Sequence, residues 1–401
     1  MKTLFDLRKK HDDEMVEAIR NIFDQPLNVV RLGEQSINAC IGCWNCWLKT
    51  PGRCVIKDQM AESYPDYVNS DTVILLMDTA QGFINHQAKA FLDRTIPHYH
   101  PYIEIAGGEC HHVARYKGYP DMVFYFDIEG LTNQEEQVIE DYLCRTAYHF
   151  KSKAYRIVKE GGLEIHPLES RNAKNQAVAF ASTEPMEKLV IYTGSPRMNA
   201  SNSSLILNIA AEALGDKVEI RDLKERDKWE AWAETFKSDK HVMFFMPLYV
   251  HAMPSHVMKF IEKLQASKGS ISFFVQSGFP ESSQSHYLEA YFEQLAHRLG
   301  RTYIGTAIKG GVEGLMMRPA KAQEKVIEPM VKTIVNLVCE GSFNPTNIRQ
   351  LAMPVRFGKG AAMVVKLIAK MGALNSYWDQ HLKENNAYDK RFDRPYLSSA
   401  K

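Results

Sequence analysis

The chain has 401 residues, 45% apolar and 24% charged, and its 49 Lys+Arg against 48 Asp+Glu leave a formal charge of +1. That length exceeds what one hydrophobic core usually supports, so two domains are expected, and the balanced, interspersed charge excludes a disordered chain and a nucleic-acid partner. The first residues hold too short an apolar run for a secretory signal, and no stretch approaches the ~20 apolar residues of a membrane span; a cytoplasmic protein with no membrane partner is expected.

The first elements read as strand, helix, strand: Lys2-Thr-Leu-Phe-Asp-Leu, an amphipathic stretch, and Leu27-Asn-Val-Val-Arg-Leu. Next, four of the seven cysteines crowd into the fifteen residues from Cys40 to Cys54, with two, two and seven residues between successive members. Gly42, Pro51 and Gly52 supply turns, so Cys40, Cys43, Cys46 and Cys54 can converge on one centre. Such crowding fits a metal or redox site in a reducing compartment better than a disulfide framework. A cluster, a tetrahedral zinc ion and redox-active thiols all suit four cysteines. Cys110, Cys144 and Cys339 stand alone and read as buried small apolar residues.

A second strand-loop-helix unit follows at Thr72-Val-Ile-Leu-Leu-Met-Asp-Thr-Ala, with its helix around Lys89-Ala-Phe-Leu-Asp-Arg. His111, His112 and Arg115 lie just beyond it. They read as a polar turn before the strand Met122-Val-Phe-Tyr-Phe rather than as metal ligands. Residues 170 to 187 are polar and read as a linker.

After the linker the pattern repeats. Lys188-Leu-Val-Ile-Tyr-Thr, a helix and Val218-Glu-Ile-Arg-Asp-Leu repeat the first pair, and His241-Val-Met-Phe-Phe-Met-Pro-Leu-Tyr aligns with the segment at Thr72 without a gap for over twenty residues. Strands alternating with helices, in continuous apolar runs, imply parallel sheets built from βαβ units. The expected organisation is a domain over 1–170, a second over 188–340 and a C-terminal extension over 341–401 with a helical segment from Gly360 to Met371.

The copies differ in their loops. Only the second follows its first strand with Gly194-Ser-Pro-Arg-Met-Asn-Ala-Ser-Asn-Ser-Ser, entering a helix whose face carries Leu205, Ile206, Ile209, Ala210, Ala213 and Leu214. Small and hydroxylated residues at a helix N-terminus gather N–H donors where a phosphate can sit; the plainer reading is that Ser201, Asn202 and Ser203 cap the helix. In the first copy this loop is absent, and Asp78-Thr-Ala-Gln-Gly-Phe stands opposite Pro247-Leu-Tyr. An acidic residue there disfavours a bound anion.

The run Gly-Ser-Pro-Arg-x-x-x-Ser-Asn-Ser resembles the FMN phosphate loop of the NAD(P)H-dependent FMN reductase and iron–sulfur flavoprotein families, members of the flavodoxin-like superfamily. Pro247-Leu-Tyr-Val-His-Ala-Met-Pro is similar to the loop with which those families hold the isoalloxazine, and Ser277-Gly-Phe-Pro-Glu is placed like their third flavin loop. The resemblance spans roughly residues 188 to 320. It implies two flavodoxin-like, doubly wound parallel sheets in tandem with a C-terminal tail. It also implies FMN in the second domain, held by Ser195, Arg197, Ser201, Asn202, Ser203, Pro247, Leu248, Tyr249, Val250, Ser277 and Gly278. No FMN is expected in the first. The cysteine motif resembles that of iron–sulfur flavoproteins, which implies a 4Fe–4S cluster on Cys40, Cys43, Cys46 and Cys54.

The implied activity is that of an NAD(P)H-dependent flavin oxidoreductase delivering electrons to a small-molecule or protein acceptor. Since the flavin of one subunit faces the cluster of another in such proteins, a homo-oligomer or an internal pseudo-dimer is expected. A redox sensor or scaffold with zinc or redox-active thiols is the rival from another class, and a plain reductase with idle cysteines is a third reading. No side chain receives a catalytic assignment.

Overall fold

The computed structural model describes residues 1–23, 26–33, 36–159, 162–166, 181–197, 201–370 and 375–398. Most of the linker read at 170–187, Met198 to Ala200 of the phosphate loop, and Met371 lie outside the described residues. The chain divides into two compact units, Met1–Arg171 with Gly358–Lys401, and Asn172–Phe357. Where the sequence suggests one extension over 341–401, the structure shares that segment between the units.

In the first unit the strands are β1 (Lys2–Asp6), β2 (Leu27–Arg31), β3 (Thr72–Met77), a short hairpin of β4 (Thr79–Ala80) and β5 (Phe83–Ile84), a longer hairpin of β6 (Tyr99–Ala106) and β7 (Glu109–Ala114), then β8 (Asp121–Phe126), β9 (Tyr155–Lys159) and β10 (Gly162–His166). The main sheet runs β2-β1-β3-β8-β9-β10, parallel except for the antiparallel edge strand β10. Every residue of β3 is buried, as a central parallel strand covered on both faces requires. Leu4, Ile74, Leu76 and Val123 meet Val16, Ile19 and Phe23 of the helix Asp13–Phe23 in one core.

The second unit is built from β11 (Leu189–Thr193), β12 (Val218–Asp222), β13 (His241–Pro247), β14 (Ser270–Gln276) and β15 (Thr302–Lys309), all parallel, in the order β12-β11-β13-β14-β15. Here Ile191, Met243, Phe245 and Phe274 pack with Ile206, Leu207 and Ala210 of the helix Asn202–Leu214 and with Met330, Ile334 and Leu337 of the helix Ala320–Glu340.

Numbered within each unit, both sheets carry the doubly wound order 2-1-3-4-5 of the flavodoxin-like fold, as the sequence predicts. The strand bounds agree with the apolar runs to within a residue or two. His111 and His112 depart from expectation: they lie in β7, not in a turn. Gly107 and Gly108, at φ 59° and 80°, make the two-residue connection that a tight hairpin needs, and a strand replaces the turn.

Candidate flavin and metal-thiolate sites

In a 2-1-3-4-5 sheet the chain leaves the first and third strands toward opposite sides, opening a crevice at their carboxyl ends. In the second unit this crevice lies beyond β11 and β13. Gly194 follows β11 because nothing larger fits: a Cβ there would stand 2.4 Å from Val257 Cγ2. Ser195 is buried and Arg197 half-buried.

The serines and the asparagine at the helix entry are committed to the protein. Ser201 Oγ accepts from Ser204 N at 3.1 Å in a capping box, Asn202 Nδ2 donates to the carbonyl of Val312 at 2.7 Å, and Ser203 Oγ accepts from Gln276 Nε2. The capping reading and a phosphate-binding reading are therefore compatible: the side chains fix the helix entry, while the first N–H groups of the helix lack intrahelical acceptors and can serve an anion.

Beyond β13, Tyr249 and Ala252 exchange backbone hydrogen bonds of 2.9 and 3.0 Å across a two-residue turn. The turn residues, Val250 and His251, have φ 41° and 57°. A β-branched residue in left-handed backbone is uncommon and costs energy, and such strain persists where surrounding structure enforces it. Leu248 N donates to Gln276 O at 2.7 Å, so the turn is tied to the end of β14, and the Tyr249 side chain is half-buried.

Ser277 follows β14, and its hydroxyl donates to the carbonyl of Phe279 at 3.0 Å. Val312 N donates to Ser277 O at 2.9 Å. Because the carbonyl of Val312 also accepts from Asn202, Val312 links the third loop to the phosphate loop. The structure therefore adds a fourth loop, Gly310 to Gly314 after β15, which the sequence reading missed. A Cβ on Gly310 would clash with the Pro280 carbonyl oxygen at 2.2 Å; its Gly-Gly pair at a strand end was the available signal.

That loop carries Glu313, whose carboxyl lies against Gly278: a Cβ on Gly278 would be 2.4 Å from Glu313 Oε2. The open face of this glycine thus meets a carboxyl group from the chain itself. Burial pushes the Glu313 pKa up to about 6, against the opposing charge of Arg197.

The four cysteines of the first unit lie on a loop with three left-handed residues, Gly42, Trp44 and Gly52 at φ 61°, 57° and 82°, and a short helix, Asn45–Leu48. Gly52 N closes the loop onto Cys46 O at 2.9 Å. Cys46 is buried, Cys40 and Cys54 half-buried, and Cys43 exposed. Cys46 lies within electrostatic reach of the other three, and burial drives its thiol pKa well above the ordinary value. Cys40 is pushed by burial to about 12. Among the described residues, no three of these sulfurs come within 4.8 Å of one another, whereas sulfurs on one tetrahedral zinc ion, at about 2.3 Å each, are closer than that.

Arg115 stands beside Cys46. It is 1% exposed, and its guanidinium donates to the carbonyls of Pro97 and Tyr99 at 2.9 and 3.5 Å and of Arg391 and Asp393 at 3.0 and 2.9 Å. Carbonyls satisfy its hydrogen bonds, and Cys46 and the Asp393 carboxylate lie within reach of its charge. A buried cation in this setting favours an anionic neighbour.

The C-terminal segment covers this loop. Trp378 packs edge-on against Trp44 and Trp47 with ring centres 5.2 and 5.4 Å apart, and Trp47 Nε1 donates to Tyr99 O at 3.0 Å. Pro395 sits over Gly52, where a Cβ would be 2.8 Å from it. Arg53 lies over the Tyr396 ring.

Comparison with known proteins adds a local likeness. No family model matches the chain. It is 37% identical over 71 residues to an iron–sulfur flavoprotein of Archaeoglobus fulgidus, covering 18% of this chain and 31% of that protein; the chain thus matches about a third of the curated relative's length. Among solved structures it is similar to general stress protein 14 of Treponema denticola in complex with FMN, at 16% identity and a TM-score of 0.31, over 38% of this chain and 97% of that one. It is also similar to an FMN-dependent NADH-azoreductase of Bacillus anthracis in complex with FMN, at 13% identity and a TM-score of 0.29, over 38% of this chain and 100% of that one. Among the described residues no helix is long and apolar enough to cross a membrane.

The corresponding crevice of the first unit is occupied by charge. Asp6, at the end of β1, is fully buried; Arg8 grips it through Nε and Nη2, each at 2.9 Å, and reaches Asp12 at 2.7 Å. His11 Nδ1 lies 3.0 Å from Asp6, and Asp78 accepts from Lys9 N at 2.8 Å. Asp6 and Arg8 were not singled out from sequence, since an alternating Asp-x-Arg at a strand end is common.

Proposed function

We propose that the protein is a flavin-dependent NAD(P)H oxidoreductase that holds FMN in the crevice of the second unit and a four-cysteine metal centre, of the 4Fe–4S kind, in the first. The observation that carries the reading is the crevice itself: three loops meet at the switch point of a 2-1-3-4-5 sheet, one of them strained into left-handed backbone at Val250 and His251. The local likeness, over 71 residues, to a protein named an iron–sulfur flavoprotein supports a flavin-dependent oxidoreductase.

The residues fit the groups. The phosphate would rest between Ser195 and the helix entry at Ser201 to Ser203, with Arg197 adding charge. The ring would lie along the turn at Tyr249 and Val250, against Ser277 and Gly278. When bound, FMN supplies hydride acceptance from a nicotinamide with release of electrons singly or in pairs, and the cluster supplies one-electron exchange. Glu313, beside Gly278, is a carboxyl that holds its proton to near pH 6 and can place a hydrogen bond at the ring edge.

On the cysteine side, burial raises the thiol pKa of Cys40 and Cys46, which suits these two to metal ligation better than to a thiol switch. Metal binding displaces those protons. Arg115, within electrostatic reach of Cys46, would temper the resulting negative charge. Electrons would pass to a small-molecule or protein acceptor.

The test is anaerobic purification followed by a visible spectrum, flavin extraction and iron and zinc analysis. One FMN and about four iron per chain, the iron content of one such cluster, with bleaching by NAD(P)H, is the expected outcome. Zinc without flavin would overturn it in favour of the sensor reading.

A further inference from the structure

We propose that Glu109, His111 and His149 form a binding site for one divalent transition-metal ion of the zinc or cobalt class, distinct in its ligands from the cysteine loop. One donor atom from each of the three lies within 4.8 Å of the others.

The fold brings these residues together. Glu109 and His111 are two apart on β7 and so share a face, while His149 closes the last turn of the helix Asn133–His149. Glu109 is 0% and His111 3% exposed. The imidazoles of His111 and His149 stack with centres 4.0 Å apart and planes 7° from parallel, and His149 Nε2 is 3.8 Å from Glu109 Oε2. An ion bound to His149 and Glu109 at about 2.0–2.2 Å fits that gap, and one imidazole turns out of the stack for His111 to reach the same ion, because a ligated metal lies in the plane of each ring.

A second observation points to a ligand. His111 Nε2 is buried and makes no hydrogen bond. A buried polar atom in that state is costly and calls for an explanation; coordination supplies one. Two histidines and one glutamate are a known zinc donor set, with water completing the tetrahedron.

Arg145 belongs to the site. It donates through Nη2 to Glu109, one turn before His149 on the same helix. An ionised carboxylate offers about four lone-pair sites on its two oxygens, so it can serve the guanidinium and an ion together, with Arg145 orienting the ligand from behind. Lys151, which pairs with Glu104, is the other nearby cation. These charges temper the affinity and make an exchangeable site the expectation. A bound ion would staple the β6–β7 hairpin to the end of the helix.

The test is the zinc bound by the full chain at equilibrium, read by dialysis against a fixed zinc concentration. His111→Ala and His149→Ala should each hold one zinc fewer than the unsubstituted chain, and a Cys43→Ser/Cys46→Ser chain should retain that zinc. Histidine variants with unchanged zinc content, or a cysteine variant holding none, would overturn the proposal. Should the variants fail to fold, zinc-edge X-ray absorption on the unsubstituted protein decides it. Nitrogen and oxygen ligands at about 2.0–2.1 Å support the site, and a shell of sulfur alone at about 2.3 Å refutes it.

Discussion

The first strand of each unit ends at the same topological point but with opposite chemistry. Asp6 pairs with Leu76 and Thr193 with Phe245, and Leu76 and Phe245 fall opposite each other in the ungapped alignment, so Asp6 and Thr193 are counterparts. In the first unit that position carries a buried carboxylate clamped by Arg8. In the second it carries a buried hydroxyl, followed by a loop of small residues that leads into a helix N-terminus. The turn after the third strand is retained in both: Gln81 and Gly82, at φ 51° and 75°, match Val250 and His251. A crevice made by topology is thus closed by an ion pair in one unit and lined by a hydroxyl and a helix N-terminus in the other.

Acid should separate the units most strongly. His98 and His100 of the first unit are buried, and desolvation holds each pKa down to about 3. A histidine with a depressed folded pKa lends stability that is present above about 6.5 and lost as pH falls toward the folded value. At pH 5 each would have withdrawn about 2 kcal/mol. Hydrogen exchange read by mass spectrometry between pH 7 and 5 should therefore show the first unit opening before the second; equal loss of protection in both would break the contrast.

Next in size, Arg8→Ala leaves Asp6 buried without its partner and should cost the first unit about 3 kcal/mol, seen in urea unfolding, while FMN binding is unchanged. Ser195→Asp puts a carboxylate into the second crevice, two residues beyond the counterpart of Asp6. FMN affinity, followed by flavin fluorescence, should fall by about 100-fold, or about 3 kcal/mol, and riboflavin affinity by much less, because the loss is charge repulsion at the phosphate. An equal loss for both flavins would place the phosphate elsewhere.

The smallest effect concerns Glu313. Its raised pKa means stability declines as pH rises from about 4.5 to about 6, where the folded carboxyl must ionise. Glu313→Gln should flatten that decline, by about 1 kcal/mol, in thermal unfolding across the window. A curve like that of the unsubstituted chain would show that burial does not hold the Glu313 proton.

The fold was legible because parallel strands buried on both faces leave continuous apolar runs, such as Thr72–Met77 and His241–Met246, that no loop imitates. The three candidate flavin loops were legible because each follows a strand directly. What sequence could not show were partnerships made across distance. Glu313 meets Gly278 only through the return of β15, and His149 joins Glu109 and His111 only when the helix folds back on the hairpin. The C-terminal segment gave no sign that it covers the cysteine loop, since Trp378 and Pro395 acquire meaning only against Trp44 and Gly52.

The most direct measurement is the flavin and iron content of three anaerobically purified chains: unsubstituted, Ser195→Asp and Cys43→Ser. The expected result is that Ser195→Asp loses flavin and keeps iron while Cys43→Ser loses iron and keeps flavin, because each centre belongs to its own unit. Loss of both cofactors from both folded variants, or a flavin untouched by Ser195→Asp, would contradict that assignment.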